Sequence, residues 1–182
     1  MIILILGGVI FFGVHAVPSF GLKKQLSEGL GRGGYLGLFS VLSTLGLGLI
    51  VYGKGSANFV SIWSSPEWSF SALHFVMWPT FILISWAYLP CNMKRILRHP
   101  MLIGVVVFSI FHLIANGDLA SILLFVSFGI FALLNILFST GPVKQANAHR
   151  GSLIWDFIGV LIGSAAYFTA LNFHQQIAGI AI

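Results

Sequence analysis

Charged side chains are almost missing from this sequence: nine basic and four acidic residues stand among 182. A soluble domain has about a quarter of its residues charged; here the share is 7%, against 58% hydrophobic. No water-soluble fold of this length hides that much apolar surface, and a mean hydropathy of +0.99 marks an integral membrane protein in contact with the lipid bilayer. The basic residues give a net charge of +5 but form no long run and no basic amphipathic stretch, so nucleic acid is not an expected partner. Cys91 is the sole cysteine, which excludes an intrachain disulfide and leaves a packing residue. Also missing are a zinc-ligand spacing, a nucleophile elbow and a phosphate-binding glycine loop. The first twenty residues, MIILILGGVIFFGVHAVPSF, lack the positive start and small-residue cleavage site of a secretory signal, so they are expected to stay as a first span.

Apolar segments are what the sequence has in quantity. Six occur, at roughly 1–17, 34–53, 69–89, 100–116, 118–139 and 153–173, where a span needs about 20 residues. The first and fourth are short. Only Asn116-Gly117-Asp118 separates the fourth from the fifth, a tight turn with Asp118 placed to cap the following helix. The expected fold is all-α: a polytopic transmembrane helical bundle of about six spans with a short fourth/fifth hairpin, one domain over residues 1–182. Lys23, Lys24 and Arg32, then Lys94, Arg95 and Arg98, then Lys144 and Arg150 fall in alternate connections. Only Lys54 falls elsewhere, so the positive-inside rule puts both termini outside the cytoplasm. Trp63 and Trp68 suit the outer interface, Pro79 is expected to kink the third span, and Gly159 and Gly163 permit close helix approach.

Six histidines beside four acids is a skewed inventory. His149 and His174 fall in polar or terminal positions and read as solvated or interfacial, and His74 belongs near the outer side. An ionisable residue inside a span is a functional-site hypothesis, which singles out His15 and His112. His99 precedes Pro100 at a helix start, where the helix N-terminus, Arg95 and Arg98 make a surface that favours anions. Thirteen residues separate His99 from His112, about 20 Å along a helix and about 140° around it, so the two serve different sites. Neutral imidazoles facing each other across a bundle are usual axial haem ligands, while the plain alternative is interhelical hydrogen bonding. By depth His15 and His112 differ by about 10 Å, and His112 lies nearer the level of His74.

RHPMLIGVVVFSIFHLIANGDLASILLF, with HAVPS and GRGGYLGLFSVLS earlier in the chain, resembles the NnrU family of bacterial membrane proteins. It is also similar to the plant 15-cis-zeta-carotene isomerases, distant members of that group. The motif likeness spans roughly residues 1–140; Arg-His-Pro alone also occurs in membrane isoprenylcysteine methyltransferases. The resemblance implies a place in the bacterial inner membrane and in denitrification, the reduction of nitrite and nitric oxide. It further implies haem b between His15 and His112, with His74 as the substitute ligand by depth. Arg98, His99 and their basic neighbours would then serve the propionates if the iron lies toward the inner half. Two alternatives go with it: a haem-dependent isomerase of a polyene such as zeta-carotene, and a non-haem accessory factor for nitric oxide or nitrite reductase components. The isomerases carry a cysteine three residues before the second ligand, where this chain has Ser109, which weighs against isomerase chemistry. From about residue 145 the chain has a plain apolar span in place of the polar tail associated with the family.

Overall fold

The computed structural model describes residues 1–138 and 152–178, apart from the side chains of Arg95 and Ile177. Lys144, His149 and Arg150, placed in a cytoplasmic connection by the sequence, lie outside the described residues. The described chain is helical: α1 (Ile2–Ala16), α2 (Leu22–Gly55), α3 (Trp68–Tyr88), α4 (Met93–Ile96), α5 (Pro100–Ala115), α6 (Leu119–Phe138), α7 (Leu153–Asn172) and α8 (His174–Ala178). Six of these are the expected apolar segments. Four, α2, α3, α6 and α7, are long and apolar enough to cross a membrane. The helices α1 and α5 have 15 and 16 residues, about 22–24 Å at 1.5 Å per residue, short of a ~30 Å hydrocarbon core.

Helix ends follow local chemistry. Pro100 occupies the first turn of α5 after His99, where its missing N–H costs nothing. Asp118 caps α6 by accepting from the backbone N–H and the hydroxyl of Ser121. Ser152 caps α7 by accepting from the Ile154 N–H. Pro79 lies inside α3, which nevertheless runs unbroken from Trp68 to Tyr88. The first connection differs from expectation. The chain is already helical from Leu22, and the break comes at Gly31, whose φ of 70° and ψ of 157° divide α2 into a short and a long helical segment.

The closest helix pairs pack antiparallel. Gly7, Gly46 and Gly53 join α1 to α2: a Cβ on Gly7 would lie 2.7 Å from the Ile50 nitrogen, and one on Gly53 would strike the backbone of Leu4. Gly104 sets α5 against Thr80, Leu83 and Ile84 of α3. Gly163 and Gly159 set α7 against Ile82 and Trp86 of α3. The helix α6 packs on α5 through Phe125 and Phe108, and on α1 through Phe128 with Phe11 and Phe12. One apolar cluster gathers Leu73, Met77, Ala115 and Tyr167; a second gathers Leu4, Ile50 and Ala120.

A strap closes the end where α2 stops. The Gly117 carbonyl accepts from the Ile62 and Trp63 N–H groups, and Leu119 N–H donates to the Val60 carbonyl. Gly117 is required there, because any Cβ would collide with the Trp63 carbonyl. Lys54 reaches into the same turn and pairs with the buried Asp118 at 3.2 Å. The one cation that breaks the positive-inside pattern is therefore spent on an internal ion pair. Burial alone would raise the Asp118 carboxyl, but the Ser121 donors and the Lys54 ammonium outweigh it and hold it below the usual carboxylate range.

Candidate functional site

Two histidines are held in the same way on different helices. The His15 Nδ1–H donates to the Phe11 carbonyl at 2.7 Å, and the His112 Nδ1–H donates to the Phe108 carbonyl at 2.9 Å. A carbonyl oxygen only accepts, so each contact requires the proton on Nδ1 and leaves the lone pair on Nε2. Anchoring one ring nitrogen on a backbone carbonyl is how metal-ligating histidines are oriented and made more basic. Aromatic rings surround both imidazoles. His15 meets Phe11 at 4.3 Å, Phe39 at 5.0 Å and Phe131 at 6.4 Å between centroids. His112 meets Phe108 at 4.0 Å and Phe125 at 4.9 Å.

Both lean on α6, though not at one point. Phe131 and Phe125 are six residues apart, about 9 Å along that helix and about 120° around it. The register that sets Gly104 against residues 80–84 instead brings His112 level with His74 on α3. The Tyr167 hydroxyl of α7 reaches His74, donating to its carbonyl at 3.2 Å and lying 3.5 Å from its Nδ1. His174 stands near His112, a neighbour that its terminal position in the sequence conceals.

Arg98 and His99 lie at the other end of α5. His99 is the N-cap residue, and its Nε2 is buried without a hydrogen-bond partner. Burial, then the neighbouring Arg98 charge, lowers its pKa, so it is neutral at pH 7. Arg98 is exposed. The structure thus keeps the Arg98–His99 corner and His112 at opposite ends of one helix.

The two imidazoles share an aromatic, apolar setting but are not brought to one point on α6. Neutral imidazoles in an aromatic, apolar setting are the ligands haem takes in helical bundles. No group of three or more His, Cys, Asp or Glu side chains able to hold a metal ion occurs among the described residues. An apolar groove of about 460 Å³ opens between α1, α2 and α6, lined by residues such as Gly8, Phe12, Ile50 and Leu124; neither His15 nor His112 lines it.

Three polar features were not foreseen. Ser109, one turn before His112 and packed at Gly129 of α6, has a buried hydroxyl with no partner. Asp156 accepts from the backbone N–H and side-chain amide of Asn92, both at 2.7 Å, and so pins α7 to the turn before α4. Lys54 and Asp118 form the ion pair described above. Ser109, Lys54 and Asp118 drew notice in the sequence for other reasons, as the place of an absent cysteine, an outlying cation and a helix cap.

The family model described as NnrU protein matches residues 3–182, so the match runs through α7 and past the point where the motif likeness ends. No curated protein and no solved structure matches the chain.

Proposed function

The chain belongs to the NnrU family, and we propose that it is an inner-membrane haem b protein, with both termini outside, serving nitrite and nitric oxide metabolism. The observation that carries this reading is the matched anchoring of His15 and His112, each with Nδ1–H on the carbonyl four residues back. That anchoring presents an Nε2 lone pair among phenylalanines, at no extra cost in rotamer freedom on binding. His112 is the primary ligand in this reading. The resemblance supplies His15 as its partner, and the helix register supplies His74 as the substitute. Bound haem would supply a one-electron iron centre able to take nitrogen oxides as ligands. The chain's own residues orient the imidazoles through Phe11 and Phe108, and keep water from the site with Phe39, Phe125 and Phe131.

The test is an absorption spectrum of the detergent-purified protein after haem reconstitution. A Soret band with six-coordinate, low-spin signals is expected, and its absence would sink the reading. His112→Ala is expected to abolish the low-spin signal. His15→Ala and His74→Ala then divide the two partners, since only the true second ligand converts the spectrum to a five-coordinate form.

A further inference from the structure

The first third of α2 is not a plain continuation of a span. Gly21 and Gly31, with φ of 75° and 70°, bracket nine helical residues, and they are the positive-φ positions among the described residues. A Cβ on either would meet nothing within 4 Å, so the backbone conformation and not crowding calls for glycine. The chain therefore turns into this segment at one glycine and out of it at the other. The rest of α2, 24 residues or about 36 Å, is ample for the crossing by itself.

Within the segment, Leu22, Leu26 and Leu30 recur every fourth residue and share one face. All three are exposed, at 43%, 38% and 50%, and Phe20 just before them is 77% exposed. Lys24 and Glu28 pair across the opposite face at 3.9 Å, both largely in solvent. Lys23 flanks the leucine row, and Arg32 follows the second glycine. Against the expectation of scattered charge, this is a compact basic amphipathic helix with an uncovered apolar face. Three cations against one acid give it a charge that complements an anionic surface.

We propose that residues 20–32 form an in-plane interfacial helix that docks on anionic phospholipid headgroups at the basic end of the bundle. Its leucine row and Phe20 enter the headgroup–acyl boundary, while Lys23, Lys24 and Arg32 hold phosphate. The two glycines let the helix lie along the surface while the remainder of α2 crosses. The anion source is the membrane lipid itself, not free phosphate.

The full chain in nanodiscs provides the test, with Leu26→Cys labelled by an environment-sensitive fluorophore in a Cys91→Ser background. Discs of phosphatidylcholine alone are compared with discs containing phosphatidylglycerol, each with a lipid spin-labelled near the headgroup as quencher. Quenching is expected to be strong with phosphatidylglycerol and weak without it, unmoved by added inorganic phosphate. Replacing Lys23, Lys24 and Arg32 by Gln should weaken the phosphatidylglycerol dependence about ten-fold or more, since each cation near such a surface strengthens attraction about five-fold. Gly31→Ala, which clashes with nothing, should reduce quenching in both lipids by disfavouring the turn. Equal quenching in both lipids, or loss of the effect with free phosphate, overturns the proposal. A label shielded only when two chains share a disc also overturns it, in favour of a second copy as the occupant.

Discussion

Two pairs of antiparallel helices are joined in this protein by different means. Between α1 and α2 the contact is backbone on backbone: Gly7, Gly46 and Gly53 let the helices touch, and no side-chain hydrogen bond joins the two among the described residues. Between α3 and α7 the glycines at 159 and 163 do the same, but four hydrogen bonds are added. Trp78 Nε1 donates to the Ser164 hydroxyl at 2.9 Å, Ser85 to the Gly159 carbonyl at 2.6 Å, Trp86 Nε1 to the Asp156 carbonyl at 3.0 Å and Tyr167 to the His74 carbonyl. The difference follows connection length. Five residues separate α1 from α2, so closing that hairpin costs little entropy and leaves little choice of partner. In contrast, α7 is remote in sequence from α3 and must find it among several equally apolar helices. Lipid is as apolar as leucine and gives no direction, so the address is written in glycine shape and hydrogen bonds.

The comparison breaks most visibly at the glycines. Gly53→Ala drives a methyl into the Leu4 backbone, and a loss of about 3 kcal/mol is expected in reversible unfolding from mixed micelles. Gly163→Ala, which would overlap Ile82, should cost a similar amount; if it is silent, hydrogen bonds alone hold α7.

The ion pair at the strap comes next. Asp118→Asn leaves Lys54 without its partner in a turn that is largely closed to water. Because a quarter of the Lys54 side chain is exposed, the expected loss is about 2 kcal/mol, less than for a fully buried pair. The same residue predicts a pH dependence. Its folded carboxyl titrates below its unfolded value, so the stabilisation is complete at neutral pH and is lost as acid protonates the folded carboxylate. Thermal unfolding followed from neutrality downward should decline more steeply below about pH 4 in the native protein than in Asp118→Asn.

The smallest effect sharpens the comparison. A double-mutant cycle of Trp78→Phe with Ser164→Ala should return a coupling of about 0.6 kcal/mol, the usual worth of an interhelical hydrogen bond in a membrane. A coupling near zero would leave shape alone to select the partner of α3.

Much of the fold is legible in the sequence because lipid imposes a simple rule: apolar runs become helices that satisfy their own backbone. All six apolar helices, the short α1 and α5 among them, the Pro100 start and the Asp118 cap follow from runs and turn chemistry. The helix at residues 22–30 escaped because its charges look scattered along the chain and gather on faces only once it coils. Its limits are set by glycine φ values, which composition does not reveal. The candidate site divides in the same way. That His15 and His112 carry interest follows from the cost of an imidazole in a span. Their Nδ1 anchors, the nearness of His174 and the partnerless Ser109 hydroxyl depend on rotamers and on which helix faces which.

By itself the sequence determines that this chain lives in a membrane, how many apolar helices it forms and where most of them begin and end. These are matters of local hydropathy and backbone satisfaction, decided within about twenty residues of each point. Only the tertiary structure decides that Lys54 is spent on Asp118, that α7 finds α3, and that His15 and His112 both lean on α6, at Phe131 and Phe125. Each of those outcomes rests on contacts between residues far apart in the chain, made through glycine-permitted approach and a few directional hydrogen bonds in a medium that offers no hydrophobic force to choose between helices.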